Sequence, residues 1–158
     1  MLINMKEIVE KLTISSKTIS TMESCTGGYL ANAITNIPGA SEVFLFGAVT
    51  YSNEYKIKLG VSKETISTYS VYSEEVSKEM SKVIADYTNS NYGIGVTGKL
   101  NRADIHNQSG SDSLVFISIY DKEHDKYYND TVTCTKEVRS ENKELVLNKV
   151  IEILHNIL

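Results

Sequence analysis

Glu23-Ser24-Cys25-Thr26-Gly27-Gly28 sets a carboxylate, two hydroxyls, a thiol and two glycines in six consecutive positions. The run follows a β-rich stretch, residues 18–22, and leads into an apolar helical run, residues 29–37. It therefore reads as a strand-to-helix turn. The first N–H groups of a helix have no intrahelical acceptor, and the macrodipole adds partial positive charge there. A serine at such a turn faces donors suited to an anion or an oxyanion, and glycines let backbone approach a ligand closely. Ser24 is the leading candidate nucleophile. Cys25 competes with it, since a thiol at a helix N-terminus ionises more readily; it serves equally well as a small buried hydrophobe.

A serine hydroxyl needs a base to take its proton. Of the three histidines, His155 falls on the last helical run and His124 in a turn, while His106 lies in a polar loop, from which it can approach the site or stay solvated. Lysine is the alternative. Tyr51-Ser52-Asn53-Glu54-Tyr55-Lys56 follows an extended run, residues 43–51, so Lys56 emerges at the same sheet edge as Ser24 if the two strands are parallel. Lysine acts as a base near neutral pH only when burial or a nearby cation depresses its pKa. Otherwise Lys56 and Lys58 are the polar face of a short helix. Asp104 and His106 are too sparse a pair to predict a metal, and neither metal nor cofactor is expected.

The elements that must position these residues alternate along the chain. Helical patterns cover 5–12, 29–36, 53–59, 62–68, a long run opening at 73 and carrying Val76, Met80, Val83 and Ile84, and 137–158; extended ones cover 18–22, 43–51, 92–96, 114–120 and 126–134. Ser52, Ser62 and Ser73 are candidate N-caps, Gly60 a helix stop, and Val43 to Tyr51 a buried strand. Residues 99–112 are polar, irregular and long for a compact domain, which marks a functional loop. Helices between strands, with a hairpin near the end, predict an α/β fold: a three-layer α/β/α sandwich around a mixed, mainly parallel sheet. One domain, 1–158, is expected. With 41% hydrophobic and 23% charged residues the chain is globular, and a net charge of −4 argues against nucleic acid as a partner. No stretch reaches the ~20 apolar residues of a membrane span, Glu7 and Glu10 do not suit a signal peptide, and Cys25 and Cys134 suit a reduced, cytoplasmic setting.

Glu23–Gly28, Pro38-Gly39-Ala40-Ser41, the run from Val49 to Lys56, Leu59-Gly60-Val61 and Tyr72-Ser73-Glu74-Glu75-Val76 fall in one order. Together they closely resemble the CinA C-terminal domain family, the nicotinamide-mononucleotide amidohydrolases. The likeness is close over about residues 5–98 and weak beyond. It implies a Ser-Lys hydrolase that converts nicotinamide mononucleotide to nicotinate mononucleotide and ammonia. Ser24 would be the nucleophile, Lys56 the base, and Tyr51 a hydroxyl that relays or orients the proton, with backbone N–H groups around Cys25 to Gly27 stabilising the oxyanion. Glu23, Cys25, Thr26, Gly27, Gly28, Thr97, Gly98, Arg102 and Arg139 are expected to contact the substrate, a pyridine nucleotide. A homo-oligomer, dimer or higher, is expected.

The chain departs from the family in two places. Thr97-Gly98 is kept, but the Gly- and Pro-rich loop that follows in the family is replaced by Lys99 to Gln108. Lys99 and Arg102 would there grip an anion with side chains rather than backbone, or simply be solvated. Of two arginines the family often places before the last helix, only Arg139 matches. A Ser-Lys amidase on another anionic small molecule, or a binding module that keeps the pocket, are the alternatives.

Overall fold

The computed structural model describes residues 3–158. Helix α1 (Met5–Ser15) leads into strand β1 (Ile19–Glu23), then α2 (Tyr29–Thr35), a 3-10 turn (Ala40–Glu42) and β2 (Phe44–Val49). Helices α3 (Asn53–Leu59), α4 (Lys63–Tyr69) and α5 (Glu74–Thr88) follow, then β3 (Tyr92–Gly98), β4 (Leu114–Asp121), β5 (Lys126–Thr133) and α6 (Arg139–Ile157). The strands form one sheet in the order β2-β1-β3-β4-β5. Pairings of β1 with β2 and β3 are parallel; those of β4 with β3 and β5 are antiparallel. The sheet is therefore mixed, with β2, β1, β3 and β5 running the same way and β4 reversed.

Two cores sandwich the sheet. On one face Ile8, Leu12, Leu30, Ile34, Val150 and Leu154, from α1, α2 and α6, pack on Ile19, Val96 and Ile117. On the other, Val76, Met80 and Ile84 of α5 pack with Met22, Val61 and Val71. Ser52, Ser62 and Ser73 cap α3, α4 and α5, each accepting the N–H three residues on at 3.2–3.3 Å; Gly60, at φ 125°, ends α3. These caps set where α3 starts, and so where Lys56 sits along it.

The expected buried strand is instead the sheet edge. Leu45 and Val49 are exposed, and a bulge lies between the pairings of Phe44 and Gly47. An uncharged apolar run fits a central strand or an edge equally well in composition, and burial depends on which strands flank it. The central strands β1 and β3 are buried along their whole length. All three parallel strands end on one side of the sheet, and each end supplies part of one cavity.

Helix α5 lies tight against β3 because that strand carries glycines. A Cβ on Gly95 would stand 2.3 Å from the Ser77 carbonyl oxygen, and one on Gly93 2.1 Å from that of Ser81. The buried serines on the helix face, Ser77 and Ser81, satisfy their hydroxyls on the carbonyls of Glu74 and Lys78, both at 2.7 Å. Gly95→Ala is expected to cost about 2–3 kcal/mol by forcing helix and strand apart. Urea unfolding followed by circular dichroism checks this; an unchanged midpoint would contradict the packing.

Candidate active site

Ser24 is the first residue beyond β1. Its backbone N–H donates to the Val96 carbonyl of β3 at 3.1 Å, which ties the turn to the neighbouring strand. Lys56 reaches the same point from α3. Its Nζ lies 3.0 Å from Ser24 Oγ and donates to the Thr50 carbonyl oxygen at 2.7 Å. Lys56 is 2% exposed and Ser24 6%. Burial pulls the Lys56 amine down from the ordinary 10.5 to about 8, against smaller upward pulls from Cys25 and Asp104. Among the described residues no carboxylate forms a salt bridge with it. The amine thus sits within reach of its neutral form near physiological pH.

The competing groups are disposed otherwise. Burial pushes the Cys25 thiol up to about 12, which leaves it a protonated, weak nucleophile. His124 pairs with Asp121 at 2.8 Å and His155 with Lys11 at 3.3 Å. His106 is exposed; its backbone N–H, at 2.9 Å, serves the Asp104 carboxylate. Tyr51 is also exposed, and its hydroxyl accepts from Arg139 Nη2 at 3.5 Å rather than from the Ser24–Lys56 pair. Among the described residues there is no cluster of three or more metal-ligating side chains.

The turn differs from the sequence expectation in one respect. Glu23 is 1% exposed and does not face a ligand. Its carboxylate accepts the Leu30 and Ala31 N–H groups at 2.9 and 3.0 Å, and the Thr26 hydroxyl at 2.6 Å. It therefore caps α2 from outside the helix and uses up the donors expected at the helix terminus. Thr26 is engaged by the same carboxylate, and Thr97 donates to the Val71 carbonyl at 2.9 Å, so neither hydroxyl faces the cavity. Gly27 and Gly28 adopt left-handed φ of 61° and 99°, shaping the turn without lining the cavity. The backbone N–H groups of Cys25 and Thr26, just after the serine, have no acceptor among the described residues.

A cavity of about 600 Å³ opens over Ser24, and Cys25, Tyr51, Tyr72, Gly98, Arg102, Asp104 and Arg139 are among its lining residues. Its outer wall is the loop between β3 and β4, which is irregular yet tied at many points. Leu100 is buried, and its carbonyl accepts from Asn142 Nδ2 at 3.2 Å. Lys99 lines the cavity but is not solvated: its side chain is 1% exposed and pairs with Asp112 at 3.2 Å. Its ammonium also lies 5.2 Å from the Tyr72 ring centre. The Tyr72 hydroxyl donates to Asp104, and Asn53 at the start of α3 donates to Asn107 Oδ1 at 3.1 Å.

Sequence reasoning gives no site role to Tyr72, Asn107 or Asn142 and weighs Asp104 only as a metal ligand. Asp104-Ile105-His106 carries the local signature of an aspartate accepting the N–H two residues on; the partners from distant elements leave no local signal.

The model of the CinA C-terminal domain family matches residues 3–158. A competence-damage inducible protein of Clostridium perfringens is 51% identical over 98 residues, 61% of this chain and 24% of that protein. Another, of Clostridium beijerinckii, is 46% identical over 125 residues, 75% of this chain and 29% of that protein. The chain thus spans between a quarter and a third of the length of these curated relatives. Among solved structures, the competence/damage inducible protein CihA from Agrobacterium tumefaciens superposes with a TM-score of 0.83 at 26% identity, covering 96% of this chain and 94% of that one.

The buried amine has a thermodynamic signature. Below pH about 8 folded and unfolded chains both hold the Lys56 proton, and the fold bears the cost of an ammonium out of water. Between 8 and 10.5 the folded amine has released a proton that the unfolded chain still binds, so stability rises with pH across that window. Lys56→Met is expected to stabilise the protein at pH 7 by about 1–2 kcal/mol and to abolish that rise. Urea midpoints measured from pH 7 to 10.5 on both proteins check it; equal midpoints at pH 7 would sink it.

Proposed function

The chain belongs to the CinA C-terminal domain family, and we propose that it is a Ser-Lys amidohydrolase that deamidates nicotinamide mononucleotide to nicotinate mononucleotide and ammonia. The observation that carries this reading is the buried amine of Lys56 at 3.0 Å from Ser24 Oγ. Neutral Lys56 takes the Ser24 proton as the oxygen adds to the carboxamide carbon. The negative charge that develops on the carboxamide oxygen is received by the free N–H groups of Cys25 and Thr26. Lys56, now an ammonium, passes its proton to the departing nitrogen, and ammonia leaves an acyl-serine. Water attacks that ester with Lys56 again as base, releasing the carboxylate and restoring Ser24. Arg102 and Arg139, in the cavity wall, supply charge for the nucleotide's phosphate. Tyr51 orients Arg139 in the free protein rather than relaying a proton.

The departure of residues 99–108 from the family's pattern supports a second reading in which the same dyad hydrolyses a different anionic amide.

Ammonia release from nicotinamide mononucleotide is the direct test. Ser24→Ala and Lys56→Arg are each expected to lower kcat at least about 10³-fold, since arginine keeps the charge but cannot act as a base. No turnover by the wild type would remove the proposed substrate. Turnover that survives Ser24→Ala would remove the mechanism.

The pH profile follows from the dyad. The base must be neutral, so kcat/KM is expected to climb with pH to a plateau above about 8, falling about tenfold per unit below it. A profile flat from pH 6 to 9 would exclude Lys56 as the base.

A further inference from the structure

Among the described residues Asp104 is the one carboxylate lining the cavity; the cations that line it are Lys99, already paired with Asp112, and Arg102 and Arg139, with Lys56 beneath Ser24. A purely anionic ligand would gain from those cations and lose to Asp104. A ligand with an anionic group and a positive charge would gain from both. The carboxylate is also held firmly: it accepts from the Tyr72 hydroxyl, from the His106 N–H at 2.9 Å and from Asn107 Nδ2 at 3.3 Å. These donors, the Tyr72 hydroxyl foremost, hold it below the ordinary carboxylate range, and it lines the same cavity as Ser24. Two tyrosine rings, Tyr51 and Tyr72, line the same cavity. An aromatic face attracts a cation, as the Lys99 ammonium against Tyr72 illustrates.

On the reading of the site as an amidohydrolase of a pyridine nucleotide, we propose that Asp104, backed by Tyr72, is a specificity-determining residue that selects a cationic pyridinium carboxamide over a neutral one. The ring nitrogen of such a substrate is quaternary because it bears the sugar; a free base or a dihydropyridine has the same outline and no charge. Asp104 touches no reacting bond. It acts on which ring enters.

The test separates charge from shape. Ser24→Ala protein, which cannot turn over, is titrated calorimetrically with 1-methylnicotinamide, a cation, and with nicotinamide, its neutral counterpart. The cation is expected to bind at least about tenfold tighter. Adding Asp104→Asn should bring the ratio near one with nicotinamide binding unchanged, and Asp104→Glu should restore most of the preference. Tyr72→Phe keeps the ring but frees the carboxylate, and should reduce the ratio a few-fold. Equal affinity for the two probes, undetectable binding of the cation, or loss of both probes alike in Asp104→Asn would overturn the proposal; the last outcome would make Asp104 a loop anchor only. These titrations need no turnover. If the intact protein releases no ammonia yet prefers the cation, the reaction is wrong and the selectivity stands. If it deamidates the nucleotide and Asp104→Asn leaves KM unchanged, the selectivity is wrong and the reaction stands.

Discussion

Taking the Lys56 amine out of water and setting it against a serine is the unfavourable arrangement that the surrounding structure serves. What surrounds the amine matters as much as its burial. Its partners are a hydroxyl and the Thr50 carbonyl, neutral dipoles that satisfy its hydrogen bonds without fixing its charge. A carboxylate in their place would hold the proton and leave a structural ion pair. To present these partners, β1 and β2 must run parallel, α3 must begin at Ser52, and the chain between β2 and α3 must turn within a few residues so that Thr50 and Lys56 meet. The serine cap at Ser52 and the glycine stop at Gly60 make so short a helix viable.

The turn that carries Ser24 is organised by a second buried charge. Glu23 binds the opening N–H groups of α2, so the Ser24 turn is bolted to its own following helix. That leaves the helix terminus unavailable to a ligand. The free N–H groups are those of Cys25 and Thr26, in the turn itself, and they sit closer to the serine than the helix does. Two buried charged residues, Glu23 and Lys56, thus divide the work: one fixes the backbone and the other has its charge held loosely.

Much of this was legible in the sequence, and the part that was not has a common cause. Helix caps at Ser52, Ser62 and Ser73, the glycine stop and the strand-to-helix turn follow from residues within a few positions of one another; the meeting of Ser24 with Lys56 is open in the pattern and follows from the family resemblance. The environment of each residue was harder to read. Val43 to Tyr51 reads as buried because it is apolar, yet strand order puts it at the edge. Lys99 reads as a loop charge but is paired with Asp112 against the Tyr72 ring, and Glu23 reads as a ligand contact but is a cap. Asp104 and Asn142 owe their roles to Tyr72 and Leu100, partners that local pattern does not pair with them. Local chemistry is written in spacing, whereas burial depends on what arrives from elsewhere.

The wall of the cavity belongs to the connection between β3 and β4, two strands that lie side by side in the sheet. Ser24 follows β1, and Lys56 sits on α3, which follows β2. Closing a loop between adjacent strands costs only about 0.6 kcal/mol for each doubling of its length, so that connection can lengthen, shorten or change composition while Ser24 and Lys56 stay where they are. The buried pair and the cavity wall are therefore separately heritable in this fold: mutations in residues 99–113 can reshape the wall without disturbing the contact between Ser24 and Lys56.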